Sequence, residues 1–378
     1  MTSPRTTPLH ERHEALGASF TDFGGWLMPV RYSSDLAEHH AVRTAAGLFD
    51  ISHMAEFVIE GPQAGAFLDY ALAGRLSTLA DDQAKYSLLL DVDGGIIDDV
   101  IVYRHSAERL MVVANAGNRD AVAAALVERG LAFDVEVEDA TDRIALIAVQ
   151  GPASQAIVEA TAGITGIRSP LDDLKYYRMT HAEFAPPAGD GVPMHIGRTG
   201  YTGEDGFELY VPADRAAALW RRLLEVGKDD GLAPCGLGSR DSLRLEMGMA
   251  LYGNDLDEEH TPLEAGLAWV TKLAKGDFVG REALAAQKEG GVRRKLVGFR
   301  LKERGFPRPH YPVTFQGRTV GEVTSGTLSP TLGEGIGMAY VEAEAAAPGT
   351  EIGIVIRDRA VPAEVVKPPF HTKGTVRK

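Results

Sequence analysis

The stretch that decides the fold runs from residue 86 to residue 105 and reads YSLLLDVDGGIIDDVIVYRH. Two apolar runs flank Asp93, Gly94 and Gly95, and such a sequence tolerates the positive φ angles of a tight turn. The stretch therefore predicts a β-hairpin. Strands and helices alternate on both sides of it. Because hairpins join some of the strands, the pattern favours an α+β fold over a doubly wound parallel sheet.

The regions around the hairpin carry further elements. Helical patterns at 10–17 and 35–46 surround DFGGWLMP at 22–29, where adjacent glycines, a tryptophan and a proline predict an irregular packed turn. Strand patterns are predicted at 55–61, 144–152 and 191–211, and helices at 62–72 and 215–227.

The character of the chain changes near AAQKEGGVRRK at 285–295, where two glycines and a cluster of charge predict a linker. Beyond it, short strand-like runs are separated by turn residues, with little helical periodicity. This pattern is typical of a small β-barrel or sandwich. We expect a first region over 1–286, built of two intertwined modules, and a second domain over 292–372.

Composition excludes several classes of protein. The 378 residues are 44% hydrophobic and 24% charged, as in soluble globular proteins, and no apolar run approaches a membrane span. A net charge of −14 opposes binding to nucleic acid. The single cysteine, Cys235, precludes an internal disulfide. Because the first residues also lack the apolar core of a signal peptide, we expect a cytoplasmic protein.

Motifs of several common chemistries are missing from the sequence. It contains no G-x-G-x-x-G, no G-x-x-x-x-G-K-[ST] and no G-x-S-x-G. His10 with His13, and His39 with His40, lack the additional ligands that a zinc site needs, so ordinary surface or core histidines are favoured. Cys235 is predicted to be a buried structural thiol.

The hairpin carries adjacent acids, Asp98 and Asp99, on an otherwise apolar strand. Successive side chains of a strand point to opposite faces, so the two acids are not expected to share one site. Both faces are apolar, so alternation leaves open which acid is buried. A carboxylate on an apolar face needs a partner, either a ligand or a structural hydrogen bond, and the pattern alone slightly favours the structural role.

Glycines also surround Tyr201 and Glu208 in GRTGYTGEDGFELYV at 197–211. Tyr201 could stack on a flat heteroaromatic ring, and Glu208 could accept hydrogen bonds from an amino-pyrimidine edge. A tight hairpin with solvated acids explains the segment equally well. The strand that follows predicts alternation, with one face formed by Phe207, Leu209 and Val211.

A helix is predicted to begin near Ser239, which is a suitable N-cap residue. Arg240 and Arg244 then project from the same face, because they are four residues apart. Asp241 can pair with Arg244, which leaves Arg240 for an anionic or polar ligand. Two ordinary surface arginines remain the simpler interpretation of this pattern.

Together these segments resemble the glycine cleavage T-protein family, and the match runs in order along nearly the whole chain. The matching segments are TPLHERHEALGA, FGGWLMPVRY, HHAVRTAAGLFDISHM, GGIIDDVIVY, IAVQGP, GYTGEDGFE, GLGSRDSLRLEMGMALYGNDLDE, TSGTLSPTLG and KPPF. The resemblance implies a cloverleaf of ferredoxin-like folate-binding modules followed by a small C-terminal β-barrel. It also implies an aminomethyltransferase that uses tetrahydrofolate.

The resemblance assigns roles to individual positions. The family's catalytic aspartate falls on Asp98, and the motif arginine falls on Arg240. The folate-binding tyrosine and glutamate fall on Tyr201 and Glu208. The residues that would line the pterin pocket are Met54, Tyr86 and Asn115. One departure is the tail HTKGTVRK, which lacks a tyrosine that some family members present near the substrate.

The implied substrate is an aminomethyl group on the lipoyl arm of H-protein. No metal, membrane or nucleic acid is expected, and the enzyme is expected to be a monomer. A tetrahydrofolate-dependent demethylase of a small methylated substrate is the closest alternative. The iron–sulfur assembly branch of the same fold carries K-G-C-Y-x-G-Q-E, whereas this chain has KGDFVGRE with Asp277 at the cysteine position. A silent folate-binding scaffold is disfavoured because Asp98, Tyr201, Glu208 and Arg240 are present.

Overall fold

The computed structural model describes residues 3–186 and 189–376. Residues 1–2 and 377–378 lie outside the described residues. The first pair begins the segment searched for a signal peptide, and the second pair ends the HTKGTVRK tail. The helices are α1 His10–Ala15, α2 Asp35–Thr44, α3 Ala64–Ala71, α4 Arg119–Gly130, α5 Ser154–Ala160, α6 Ala216–Gly227, α7 Leu237–Glu246 and α8 Arg281–Gly290. Within the described ranges, no helix is long and apolar enough to cross a bilayer.

The strands are short and fall into three groups. A separate two-stranded hairpin contains β1 Ser19–Phe23 and β2 Trp26–Arg31. The main sheet contains β3 Ala46–Asp50, β4 Ala55–Glu60, β5 Gln83–Leu90, β6 Ile96–Ser106, β7 Arg109–Ala114, β8 Glu136–Asp139, β9 Ile144–Gln150, β10 Ile164–Thr165, β11 Arg178–Phe184, β12 Val192–Arg198, β13 Gly206–Pro212 and β14 Leu232–Pro234. The last group is β15 Arg294–Leu301, β16 Pro312–Phe315, β17 Arg318–Leu328, β18 Gly335–Glu342, β19 Glu351–Ile356 and β20 Arg359–Val366.

The main sheet follows the order β14-β3-β9-β13-β12-β11-β5-β6-β7-β4-β8, with β10 paired to β11. Its pairs are antiparallel, except that β14 runs parallel to β3. The sheet joins two modules. The first contains β4 to β8, the second contains β3 and β9 to β14, and the two meet where β5 pairs with β11. The predicted hairpin is the β5–β6 pair.

The last six strands close into a barrel in the order β15-β18-β17-β16-β19-β20. Closure removes the free edges that would otherwise pair with other chains. Its interior is a separate apolar cluster that includes Phe299, Val323 and Ile354. The α+β class with a small C-terminal β-barrel is therefore confirmed.

Two local predictions are wrong. DFGGWLMP is not an irregular turn, because β1 and β2 pair across it and Gly24 and Gly25 take φ angles of 59° and 83°. Positive φ at both central residues is the geometry of a two-residue hairpin turn. The linker predicted over 285–295 begins inside α8, which continues to Gly290. The helix holds Leu284 in an apolar cluster with Leu90 and Ile96, so only 291–293 connect it to β15.

The main sheet has different surroundings on its two sides. On one side of β13, Phe207 and Leu209 pack with α5 and α6 in an apolar cluster. On the other side, Tyr210 belongs to a second cluster, here called the central cluster, which includes Phe49, Tyr103, Leu146 and Val113. The predicted alternation of β13 is confirmed, because Val211 also lies with Phe207 and Leu209.

Candidate active site

Asp98 and Asp99 lie on opposite faces of β6. Asp98 has no exposed surface and shares its face with Val100 and Val102, which pack against the helices of the first module. Asp99 is partly exposed and shares its face with Ile101, which packs against the central cluster. The question that alternation left open is thereby answered: the fully buried acid is Asp98.

The two carboxylates nevertheless meet at one side chain, so the expectation that they do not share a site is wrong. The amide nitrogen of Asn115 donates to Oδ1 of Asp98 and to Oδ1 of Asp99, each at 2.8 Å. The pairing of β5 with β6 shifts register between Leu89 and Leu90, opposite these acids. Such a bulge increases the local twist and redirects side chains.

Further donors hold the Asp98 carboxylate in place. The backbone N–H of Asn115 donates to its Oδ2 at 2.9 Å, and Nδ2 of Asn118 donates to its Oδ1 at 2.7 Å. Burial and the neighbouring charge of Asp99 nevertheless raise the pKa of Asp98 to about 7. Burial also raises the pKa of Asp99. The pair is therefore suited to hold a single proton near neutral pH, and either acid titrates as a member of the pair.

Tyr86 connects the acid pair to an exposed aromatic side chain. Its hydroxyl donates to Oδ2 of Asp99 at 3.0 Å. Its ring stacks on Trp269, with the centroids 6.0 Å apart, and Trp269 is 63% exposed. Met54 is partly buried against the central cluster. These contacts place Tyr86 beside Asp99 and Met54 on the same side of the sheet.

Glu208 has one satisfied carboxylate oxygen and one open oxygen. Its Oε2 accepts a hydrogen bond of 2.6 Å from Oγ1 of Thr199 and one of 3.3 Å from the hydroxyl of Tyr103. Oε1 has no hydrogen-bond partner in the part of the chain that the structure describes. Burial raises the pKa of Glu208, against the lowering effect of these bonds. An almost buried carboxylate with a free oxygen is suited to bind a hydrogen-bond donor.

Tyr201 and Arg240 form a stacked pair. The guanidinium carbon of Arg240 lies 4.8 Å from the centroid of the Tyr201 ring, while the Tyr201 hydroxyl donates to the backbone oxygen of Ala250. Across the described residues, the Arg240 guanidinium makes no hydrogen bond or ion pair. Burial lowers the pKa of Arg240, whereas Tyr201 and Glu208 raise it. Its donors are therefore available to a ligand on the side of Glu208.

The glycines near Tyr201 allow close packing of the loop. Gly203 has a φ of +80°, and a Cβ there would lie 2.2 Å from Sδ of Met247. A side chain at this position would therefore have to displace the side chain of Met247, which directly follows α7.

The start of α7 differs from the prediction. The helix begins at Leu237 with Gly236 as its N-cap, so Ser239 lies within the first turn. The backbone N–H of Gly236 donates to Oε2 of Glu38 at 2.8 Å, and the Ser239 hydroxyl donates to the oxygen of Gly236 at 2.9 Å. A carboxylate distant in sequence thus fixes where the helix begins.

Arg244 is a structural residue that joins α7 to the barrel. It is 1% exposed and pairs with Asp241, as predicted, and with Asp255, each at 2.7 Å. Its Nη2 also donates to the hydroxyl of Ser325, in β17, at 2.8 Å. The interpretation of Arg240 and Arg244 as ordinary surface arginines is therefore wrong.

Electrostatic interactions connect the acid pair with Glu208. Burial raises the pKa of Tyr177, and the charges of Tyr176, Glu208 and Asp99 raise it further. Burial also raises the pKa of Tyr201, to which Asp99 contributes. Both carboxylates therefore lie close enough to Tyr177 to affect its ionisation. Tyr103, on the same face of β6 as Asp99, donates to Glu208. Asp99 and Glu208 therefore lie on the side of the main sheet that carries the central cluster, which we take as the candidate substrate pocket, whereas Asp98 lies on the other side.

Sequence reasoning missed several residues of this pocket. Tyr177 and Trp269 come from separate segments without a recognisable motif, so no local pattern indicated them, and Tyr103 lies in the predicted hairpin, where nothing in the pattern marked it out. Thr199 adjoins the glycine-rich segment, and its position beside Gly200 was a usable signal.

The C-terminal tail packs on the glycine-rich loop. Backbone and hydroxyl groups of Thr375 donate to Oε2 of Glu204 at 2.9 and 2.7 Å, and Asp205 donates from its backbone to Thr375 at 3.0 Å. A Cβ on Gly374 would lie 2.1 Å from the backbone oxygen of Gly203. The tail thus holds the loop that precedes Glu208, although it lacks the tyrosine of some family members.

Two of the four histidines singled out in the sequence, His13 and His39, and the single cysteine are bonded within the fold. His13 bonds Asp50 and His39 bonds Ser242, each at 2.8 Å, and both histidines are buried. Cys235 is 1% exposed, and burial raises the pKa of its thiol. Its predicted place as a buried thiol is confirmed.

Comparisons with known proteins agree along the whole chain. Residues 9–275 match the family model described as GCVT N-terminal domain, and residues 294–371 match the glycine cleavage T-protein C-terminal barrel domain. A protein from Saccharopolyspora erythraea named Aminomethyltransferase is 50% identical over 376 residues, covering 99% of this chain and all of that one. Another of that name, from Halothermothrix orenii, is 47% identical and covers 97% and 99%.

The solved structures give the same result. The crystal structure of the glycine cleavage system aminomethyltransferase T from Bartonella henselae is 37% identical, covers both chains completely and has a TM-score of 0.89. The fold and the pocket therefore belong to a transferase of one-carbon metabolism. The chain belongs to the glycine cleavage T-protein family.

Proposed function

We propose that this enzyme transfers the methylene carbon of an aminomethyl group, carried on the lipoyl arm of H-protein, to tetrahydrofolate. The products are 5,10-methylenetetrahydrofolate, ammonia and dihydrolipoyl H-protein. Membership of the T-protein family and the full-length similarity to proteins named Aminomethyltransferase support this proposal. The observation that carries it is the arrangement of the candidate pocket. It has the acid pair Asp98 and Asp99 at one part, and the open carboxylate oxygen of Glu208 with the unpaired guanidinium of Arg240 at another.

The pocket fits the pterin ring of tetrahydrofolate. The free Oε1 of Glu208 can accept hydrogen bonds from the amino-pyrimidine edge, in a site where an unpaired carboxylate is unfavourable. The stacked Tyr201 and Arg240 offer a flat surface and guanidinium donors. Tyr86 and Met54 contribute aromatic and apolar walls near Asp99.

We assign the acid that touches the substrate to Asp99 and keep Asp98 as its buried partner. This departs from the assignment carried over by resemblance, because Asp98 has no exposed surface and lies on the core-facing side of β6. Asn115 bonds both acids, so a proton gained by one changes the hydrogen bonding of the other.

The transferred carbon would begin bonded to the lipoyl sulfur and to the nitrogen that leaves as ammonia. It would end bonded to two amines of tetrahydrofolate, N5 and N10. Asp99 would orient these amines and accept a proton when they become cationic, while the sulfur and the leaving nitrogen each gain a proton. Asp98, whose pKa is raised to about 7, would hold the proton of the pair and leave Asp99 as the carboxylate before the transfer. Orientation within the pocket supplies much of the acceleration, because the reacting atoms are held together.

Several finer points are part of the proposal. The lipoyl arm would arrive near Arg240, and the enzyme would act as a cytoplasmic monomer that meets H-protein transiently. The reaction itself is proposed to need no metal or nicotinamide.

The test is to follow ammonia and 5,10-methylenetetrahydrofolate production from aminomethyl-lipoyl H-protein and tetrahydrofolate. Turnover that requires both substrates supports the proposal. A folded enzyme that binds tetrahydrofolate but gives no turnover contradicts it, and product from a small methylated amine would then favour the demethylase.

A further inference from the structure

Three histidines converge at the seam between the two modules. The pairing of β5 with β11 holds one register pair, Gln83 opposite Arg178. β5 begins there, so the space beyond it separates β6 from β11 without an intervening strand. His105 lies near the end of β6 on one side of this space. His181 and His195 are directly opposite each other in β11 and β12 on the other side.

The geometry brings the three rings together. One ligand nitrogen from each histidine lies within 4.8 Å of those of the other two. The ring centroids of His105 and His195 are 4.6 Å apart, and those of His181 and His195 are 4.7 Å apart. All three side chains are partly exposed, so an ion could enter from solvent.

Burial favours the neutral form of two of the rings, those of His105 and His195. Burial and the nearby His195 and His181 lower the pKa of His105 to about 3. Burial and His181 lower the pKa of His195 to about 4. Neutral imidazole carries a lone pair on one nitrogen, which is the atom that binds a metal ion. Nδ1 of His195 is buried and has no hydrogen-bond partner among the residues described.

The carboxylate of Asp82 orients one of the three histidines, His181. Nε2 of His181 lies 2.9 Å from Oδ1 of Asp82, and because a carboxylate only accepts, the ring donates from Nε2, which leaves Nδ1 as the nitrogen that can bind an ion. Asp82 takes a φ of 62°, a left-handed conformation that glycine, asparagine and aspartate adopt more readily than most residues. A carboxylate that orients a histidine is a common support for a metal ligand.

Two nearby cations oppose a bound ion, but both have acidic partners. Arg168 lies 3.9 Å from Oδ2 of Asp82, and Arg109 forms an ion pair with Glu60. The net charge of −14 favours cation binding in general.

We propose that His105, His181 and His195 bind one divalent transition-metal ion, with Zn²⁺ as the reference ion, and that the ion ties β6 to β11 and β12. Imidazole ligands suit Zn²⁺, whereas Mg²⁺ and Ca²⁺ prefer oxygen. The nitrogens would move from within 4.8 Å to roughly 3.3 Å apart, the spacing of a tetrahedral zinc site, and a water would fill the fourth position. The sequence led us to expect no metal, so this proposal departs from that expectation, and the site lies outside the proposed pocket residues.

The experiment uses the full chain, stripped of metal with a chelator and then titrated with Co²⁺ and Zn²⁺. We expect a visible Co²⁺ absorption band that saturates at one ion per chain and is displaced by Zn²⁺. The double variant His105→Gln/His195→Gln is expected to lose at least about tenfold in affinity. Asp82→Asn keeps a residue that tolerates the left-handed backbone and is expected to lose about tenfold. His310→Gln, at a side chain that is 86% exposed on the barrel, is the matched control.

A second readout does not depend on enzymatic activity. Saturating Zn²⁺ is expected to raise the Tm of the wild type and of His310→Gln by about 2–5 °C, and to leave the Tm of the double variant unchanged. Failure of the wild type to bind Co²⁺ in a one-to-one ratio overturns the proposal, whether or not the variants fold. Equal affinity in the wild type and a folded double variant also overturns it, because the ion then binds elsewhere.

Discussion

Tyr86 donates its hydroxyl hydrogen to a carboxylate oxygen of Asp99 at 3.0 Å, whereas Asp98, next along the same strand, faces the apolar core. The contact supports our proposal that Asp99 is the member of the acid pair that meets the substrate. It also couples the ionisation of Asp99 to a residue that shares its face of the sheet.

The first prediction compares the two acids. Asp99→Asn is expected to lower kcat by about 10²–10⁴-fold, because it removes the carboxylate that would accept a proton. Asp98→Asn is expected to cause a smaller loss, because Asp98 acts only through Asn115. Turnover is measured on both variants, with tetrahydrofolate binding as the check on folding. A larger loss in Asp98→Asn than in Asp99→Asn would return the catalytic role to Asp98.

A second prediction concerns pH. The Tyr86 hydrogen bond lowers the pKa of Asp99, so Tyr86→Phe should raise it while keeping the ring against Trp269. The carboxylate form is the active one in our proposal, so the acidic limb of kcat/KM against pH should move to higher pH. An unchanged acidic limb would show that Asp99 does not govern this titration.

The third prediction tests the stacked arginine. Arg240→Lys keeps the positive charge but loses the planar surface above Tyr201, so the KM for tetrahydrofolate is expected to rise by about tenfold. Arg221→Lys, at an exposed site of α6, serves as the control and should leave KM unchanged. Equal KM values in Arg240→Lys and the wild type would contradict a folate-binding role.

A fourth prediction addresses the link between α7 and the barrel. Arg244→Met leaves Asp255 buried without its cation, and is expected to lower the free energy of unfolding by about 3–5 kcal/mol. Arg244→Met/Asp255→Leu should recover part of this loss, because it removes the unpaired charge. Denaturant unfolding of both variants measures the effect. No difference between the single and double variants would argue against the buried pair as the cause.

The fifth prediction uses the raised pKa of Asp98, about 7 in the folded protein against 3.8 ordinarily. The folded state holds this proton more tightly, so its contribution to stability is complete below pH 3.8 and is lost as the pH rises towards 7. Asp98→Asn removes this titration. The free energy of unfolding should therefore fall less steeply between pH 4 and pH 7 in the variant. Parallel slopes in the two proteins would contradict the shift.

Patterns of short range predicted much of the architecture. The β5–β6 hairpin, the alternation of β13 and the pairing of Asp241 with Arg244 follow from spacing along one strand or helix. Such features depend on neighbours in sequence, so a single sequence contains the required information.

Features that depend on contacts between distant segments could not be predicted from the sequence. The start of α7 is fixed by Glu38, and the shared site of the acid pair depends on Asn115 and a register shift. The histidine cluster comes from three strands, and none of its members forms a spaced motif with another. These features depend on contacts between residues that are distant in sequence, so the local pattern around each residue could not predict them.

The contact between Thr375 and Glu204 joins positions 171 residues apart in the chain. A ribosome makes the glycine-rich loop well before the segment that holds it, with the entire barrel translated in between. A nascent chain that has just completed the first region therefore has Glu208 but not the hydrogen bonds that hold the preceding loop. The substrate pocket acquires its finished form only after the barrel strands have been synthesised.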